Sequence, residues 1–177
     1  MGKGSRPPSV LWAPWRMEYI ETGDRINAEG CIFCKRAALS DDRRSLIVHR
    51  GLSAFVIMNR YPYNSGHLMV VPFRHIGDLA ALSESEKKEM FDLLQVSHSV
   101  LKSVMKPQGF NIGMNLGRIA GAGIEDHLHF HLVPRWGGDT NFMPVTGHTK
   151  VVSEALEAAW EKLTAGFQFI QSTNRHP

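Results

Sequence analysis

Three of the chain's nine histidines stand at alternate positions in DHLHFHLVPRW, residues 126 to 136. His127, His129 and His131 alternate there with Leu128, Phe130 and Leu132. Polar/apolar alternation is the period of a β-strand, whose successive side chains point to opposite faces. The pattern predicts a strand with three imidazoles on one face and an apolar set on the other. On a helix, His127 and His131 would pair one turn apart and His129 would point elsewhere. A strand rises about 3.3 Å per residue, which puts His127 about 13 Å from His131 and His129 about 7 Å from each. Such a row suits separate tasks along one groove better than joint ligation of one metal ion. A neutral imidazole is a competent nucleophile and proton carrier near neutral pH.

Two further stretches carry chemistry. The loop LGRIAGAGIED, residues 116 to 126, runs directly into the histidine row. Glycines let a backbone approach a ligand closely, and bare amides there bind phosphate oxygens. The loop lacks the Gly-Lys-Ser/Thr ending of a nucleotide-binding P-loop. The chain's two cysteines, Cys31 and Cys34, form one C-x-x-C. That spacing serves a redox pair or half of a zinc site. A turn before it, a thin helix signal after it and histidines elsewhere favour zinc.

The elements that must position these residues are legible from pattern. SLIVHR and AFVIMN read as strands rich in Ile, Val and Phe. RYPYNSG, residues 60 to 66, reads as a turn. HLMVVP, residues 67 to 72, reads as a strand buried on both faces. Ser83 with Glu86 forms a capping box, followed by Met90, Leu93, Leu94, Ser97, Val100, Leu101 and Val104 at helical spacing; Pro107 and Gly109 end that helix. FNIGMN, residues 110 to 115, is a fourth strand. A last helix is expected over roughly 153 to 165, with Ala155, Leu156, Ala159, Trp160 and Leu163 on one face. The sum is an α+β fold: a mostly antiparallel sheet, one long capping-box helix and a C-terminal helix.

At 177 residues the chain is expected to be one domain: a flexible tail over 1 to 10, a core over 30 to 136, and an extension over 137 to 177. LWAPWRMEYIETG, residues 11 to 23, is too apolar to dangle, and Trp12 and Trp15 read as packing residues. Hydrophobic residues make up 43% and the net charge is +3, which suits an anionic small substrate. CKRAALSDDRRSLIVHR reads as a solvated loop, and without interleaved aromatics it does not favour nucleic acid. No apolar run spans a membrane. The start, MGKGSRPPSV, lacks the apolar core of a signal peptide, and Arg6 stands where a myristoylation signal needs Ser or Thr. A cytoplasmic location is expected.

HLHFHLV matches the His-φ-His-φ-His-φ-φ pattern of the histidine triad (HIT) family, φ being apolar. NSGHLMVVPFRH resembles the family's Gly-His, apolar strand, Pro-x-x-His segment; Asn115, the loop before the triad and CIFC extend the likeness over roughly residues 30 to 136. LWAPWR and PRWGGDTNFMPV resemble the subgroup of bacterial diadenosine polyphosphate phosphorylases, or ATP adenylyltransferases. The resemblance implies a HIT-like fold and nucleotidyl transfer through a covalent nucleotidyl-histidine. His129 would be the nucleophile. His131 would donate to a phosphate oxygen or leaving group, and the amides around Ala122 and Gly123 would meet developing charge, assisted by Asn115. Asn59 matches the position that binds ribose hydroxyls, and His67 lines the site. Trp136 would stack on adenine, or else cover the sheet edge or a subunit contact. Cys31, Cys34, His75 and His127 would form a closed Cys2His2 structural zinc site, with no organic cofactor.

The implied substrate is a dinucleoside polyphosphate, with phosphorolysis of diadenosine tetraphosphate to ATP and ADP as the leading reaction and inorganic phosphate as second substrate. The implied assembly is a homodimer or larger. Hydrolysis of dinucleoside polyphosphates or nucleoside phosphoramidates is the near alternative. A nucleotide-binding protein with little turnover is a second class, supported by one departure: Ala122 and Gly123 stand where many relatives carry Gly-Ser or Gly-Gln. An oxygenase using two histidines and Glu125 or Asp126 is a third.

Overall fold

The structure is a computed structural model that describes residues 30–139 and 155–173. The tail, the 11 to 23 segment with Trp12 and Trp15, and residues 140–154 lie outside the described residues. A short helix α1, Ile32–Ala37, opens the described chain and α2, Asp42–Ser45, follows. Strands β1 (Ile47–Arg50), β2 (Ala54–Met58) and β3 (Leu68–Pro72) lead to the long helix α3, Glu84–Val104. Then come β4 (Gly109–Gly113), β5 (Phe130–Arg135) and α4 (Leu156–Thr173). The five strands form one antiparallel sheet in the order β1-β2-β3-β5-β4. Helix α3 packs across β2, β3 and β5, and α4 packs on α3 and along β1. The α+β expectation holds.

Helix α3 begins where the capping box predicts. Ser83 Oγ accepts from the Glu86 amide, and the Glu86 carboxylate accepts from the Ser83 amide at 2.8 Å. Met90, Leu93, Leu94, Val100 and Leu101 form its buried stripe. Strands β2 and β3 are buried along their whole lengths, as unbroken apolar runs require.

Four expectations are corrected. The histidine strand starts at Phe130, so His127 and His129 lie in an irregular segment before it. That segment is held by the Leu128 amide donating to Ile76 O at 2.7 Å, outside the sheet ladder. Within it His127 and His129 are buried, while His131 on the strand is half-buried. The charged stretch after Cys34 is two short helices rather than a loop; Arg50 donates to Ala37 O, Leu39 O and Asp42 and ties them to β1. Helix α4 runs to Thr173, eight residues past its expected end, because Phe167 continues the stripe of Ala159 and Leu163 into the core. Ala155, expected on that stripe, is exposed.

Candidate active site and metal centre

Strand register places Ile57 beside Met69 and Met69 beside His131. This row floors a cavity of about 200 Å³. Ile32, Phe33 and Arg36 of α1 form one wall; Asn59, Tyr61 and Tyr63 from the turn after β2 form another; Gly121, Gly123 and Ile124 close it beside His129 and His131. The apolar floor with convergent polar groups is the usual make-up of a small-molecule site.

Backbone partners settle the hydrogen positions on the histidines. His129 Nδ1 lies 2.8 Å from His127 O. A carbonyl only accepts, so Nδ1 carries the proton and Nε2 keeps its lone pair. Burial lowers the pKa of His129 below the ordinary histidine value, against the raising effect of that backbone bond. The ring is therefore neutral with a free lone pair. Phe33 fixes its plane, with ring centroids 5.0 Å apart.

His131 is set by a relay. The Tyr63 amide donates to His67 Nδ1 at 3.1 Å, and His67 Nε2 lies 2.9 Å from His131 Nδ1. With its Nδ1 accepting, His67 carries its proton on Nε2 and donates to His131. His131 then holds its own proton on Nε2. His67 is fully buried and stacked on Tyr63 at 4.9 Å. The rings of His129 and His131 stand 4.9 Å apart, so a lone pair and a donor meet in one cavity.

His127 is turned the other way. Its Nε2 donates to Pro72 O at 2.8 Å, which directs Nδ1 at Cys31 Sγ (3.2 Å), His75 Nδ1 (3.2 Å) and Cys34 Sγ (3.6 Å). Cys34 Sγ and His75 Nδ1 are 3.5 Å apart. Donors at ordinary zinc distances on a tetrahedron stand about 3.3 to 3.8 Å from one another. The four donor atoms lie within 4.8 Å of one another and can hold a metal ion. Burial raises the Cys31 thiol pKa, but its bonds to His127 and to backbone amides carry it down to about 6. Burial and Cys31 together push Cys34 up. The four residues fit a closed structural site.

The cysteines, Phe33 and Arg36 share α1, whose one end faces the metal donors while its side chains wall the cavity. Phe33 is buried against both His127 (5.4 Å) and His129. Gly77 allows the segments that carry His75 and His127 to meet: a Cβ there would stand 3.0 Å from Asp126 Cα and from Glu125 O.

Not every expected residue reaches the cavity. Asn59 does, with Oδ1 accepting from the Tyr61 amide at 2.9 Å. Gly123 lines it, whereas Ala122 is buried and its amide donates to Gly117 O at 3.2 Å, so this amide does not face a ligand. Asn115 stands behind the wall, donating to Gly121 O at 3.3 Å. His67 acts from beneath. His127, expected in the catalytic set, has both ring nitrogens engaged and reaches His129 only through its backbone oxygen. Trp136 follows β5 at its far end, where its amide meets Asp139, and does not line the cavity. Phe33, Tyr63 and Gly77 were not legible as site residues; Phe33 inside the C-x-x-C is the one a sequence pattern marks.

The HIT domain family matches residues 42–138. The AP-4-A phosphorylase of Mycobacterium tuberculosis is 41% identical over 152 residues, 82% of this chain and 77% of that protein. Adenosine 5′-monophosphoramidase hnt1 of Schizosaccharomyces pombe is 30% identical over 105 residues, 59% of this chain and 74% of that one. A zinc-bound histidine triad family protein from Mycobacterium smegmatis shares the fold, with a TM-score of 0.65 at 21% identity over 83% of this chain and 99% of that one.

Proposed function

The chain belongs to the HIT domain family, and on that premise we propose that it is an enzyme that phosphorolyses dinucleoside polyphosphates, diadenosine tetraphosphate foremost, to ATP and ADP. The observation that carries this is the opposed setting of two neighbouring rings: His129 neutral with Nε2 unprotonated, His131 with Nε2 protonated. The likeness to the mycobacterial AP-4-A phosphorylase supports the substrate class.

In this reading His129 Nε2 attacks the α-phosphorus. A P–N bond forms and the P–O bond to the departing ATP breaks. The leaving oxygen is a phosphate oxygen, so a hydrogen bond from His131 Nε2 is enough to stabilise it. Inorganic phosphate then attacks the same phosphorus, the P–N bond breaks, ADP leaves and Nε2 regains its lone pair. His127 O holds the imidazole upright throughout and stabilises it when its ring gains positive character. The Gly123 amide and Asn59 Nδ2 bind the non-bridging oxygens and the ribose. Cys31, Cys34, His75 and His127 hold a structural zinc ion, which ties α1 to the nucleophile's segment.

We further read the protein as a homodimer. Strand β4 is a sheet edge, and Ile112 with the nearby Leu116 and Ile119 exposes apolar surface beside it. The whole chain is read as one domain with a C-terminal extension, acting in the cytoplasm.

The test is a product assay with diadenosine tetraphosphate, with and without phosphate. ATP plus ADP that appears only with phosphate, and vanishes in His129→Ala, supports phosphorolysis. ATP plus AMP without phosphate makes the enzyme a hydrolase. Turnover that survives His129→Ala rejects the nucleophile.

A further inference from the structure

The cavity that His129 and His131 line also carries two guanidinium groups, those of Arg36 and Arg60. Their situation differs from that of four other described arginines. Arg43, Arg50, Arg74 and Arg135 each meet a carboxylate. Among the described residues, neither Arg36 nor Arg60 does. Arg36 is half-buried in α1, and its Nη1 donates to Ser45 O at 3.2 Å, which holds the guanidinium in place. A carbonyl engages one of five donors and neutralises no charge. Arg60 is exposed at the same cavity, and an anion lying between the two guanidinium groups would relieve their mutual repulsion.

Asn59 adds to this. Its Oδ1 accepts from the Tyr61 amide, which leaves both Nδ2 hydrogens available to the cavity beside Arg60. Arg36, Asn59 and Arg60 thus offer the cavity several donors, two of the three groups being cationic. Planar guanidinium forks match phosphate oxygens.

We propose that Arg36 and Arg60 form an anion subsite that takes a second phosphate group of the bound nucleotide beyond the phosphate that reacts. This deepens the proposed function, resting on its nucleotide substrate but not on phosphorolysis. Two sources share the chemistry: the distal phosphates of a polyphosphate chain, or a phosphate esterified to the ribose.

Binding measurements separate these sources without any turnover. Calorimetry would compare AMP, ATP and adenosine 3′,5′-bisphosphate in the absence of magnesium. Wild type is expected to bind at least one of the latter two about tenfold more tightly than AMP, a gap that narrows with salt. Preference for ATP identifies the chain, and preference for the bisphosphate identifies a ribose phosphate. Arg36→Gln and Arg60→Gln should each shrink the gap, with melting temperature and AMP affinity near wild type. Lys102→Gln, exposed on α3 and outside the cavity, should leave the gap unchanged and so controls for net charge. Equal affinity for all three ligands in wild type overturns the subsite, as does a gap that survives both cavity substitutions. A protein that shows the gap but does not phosphorolyse diadenosine tetraphosphate refutes the proposed reaction and keeps the subsite.

Discussion

His67 Nε2 stands 2.9 Å from His131 Nδ1, and the Tyr63 amide donates to the other nitrogen of His67 at 3.1 Å. A backbone N–H thus dictates, two rings away, which nitrogen of His131 carries its proton. The amide cannot ionise, so the setting is fixed by the fold of the turn after β2.

Replacing His67 with Phe keeps a ring under Tyr63 and removes the relay. We expect kcat to fall about a hundredfold for substrates that need a donor on the leaving group. A nucleotide ester of an acidic phenol, which leaves unaided, should lose far less. Steady-state kinetics on both substrates checks this, with the melting temperature as control. Equal losses on both would mean that His67 is only structural.

The lowered pKa of His129 sets the acid limb of activity. Free imidazole is half-charged at about pH 6.5, and burial keeps this ring neutral below that. The limb of kcat/KM should therefore have its midpoint under about 6.5. In the folded state the group binds its proton more weakly than in the unfolded chain. Its contribution to stability is thus present above the unfolded value and is lost as pH falls below it. A profile from about pH 4.5 to about pH 8 decides, and a midpoint above about 6.5 contradicts the assignment.

Metal removal should disturb chemistry at a distance. Analysis is expected to find about one zinc per chain and no iron, the latter excluding the oxygenase reading. Chelation should lower the melting temperature and the activity together, because α1 carries Phe33 against His129. Gly77→Ala tests the same link without touching a ligand. Its Cβ meets backbone at Asp126 and Glu125, which cannot swing aside. Metal affinity should drop roughly tenfold or more, read by competition with a chromogenic chelator.

The capping box predicts a stability effect far from the site. Ser83→Ala should cost about 1 kcal/mol in urea denaturation. Arg74 and the Ser83 bonds hold the Glu86 carboxyl down at about 2. Its contribution is fully present above the ordinary carboxylate value and is lost as pH falls toward about 2. The wild-type advantage over Glu86→Gln should shrink over that window.

Local pattern was enough for much of this protein. The capping box placed the start of α3, unbroken apolar runs placed β2 and β3, and residue spacing with family resemblance nominated His127, His129, His131, His75 and the two cysteines. Those features were legible because capping, periodicity and ligand chemistry act over a few residues. What distinguishes the three triad histidines was not legible, since it depends on partners distant in sequence: Pro72 O for His127, and His67 with the Tyr63 amide for His131. The same holds for Gly77 against Asp126, for Phe33 between two rings, and for Arg36 and Arg60, brought to one cavity by helix α1 and the turn after β2. Sequence determined which chemical groups were present. Only the tertiary structure decided their tautomers, burial and neighbours, because protonation and charge respond to what lies within a few ångströms, however far along the chain it is.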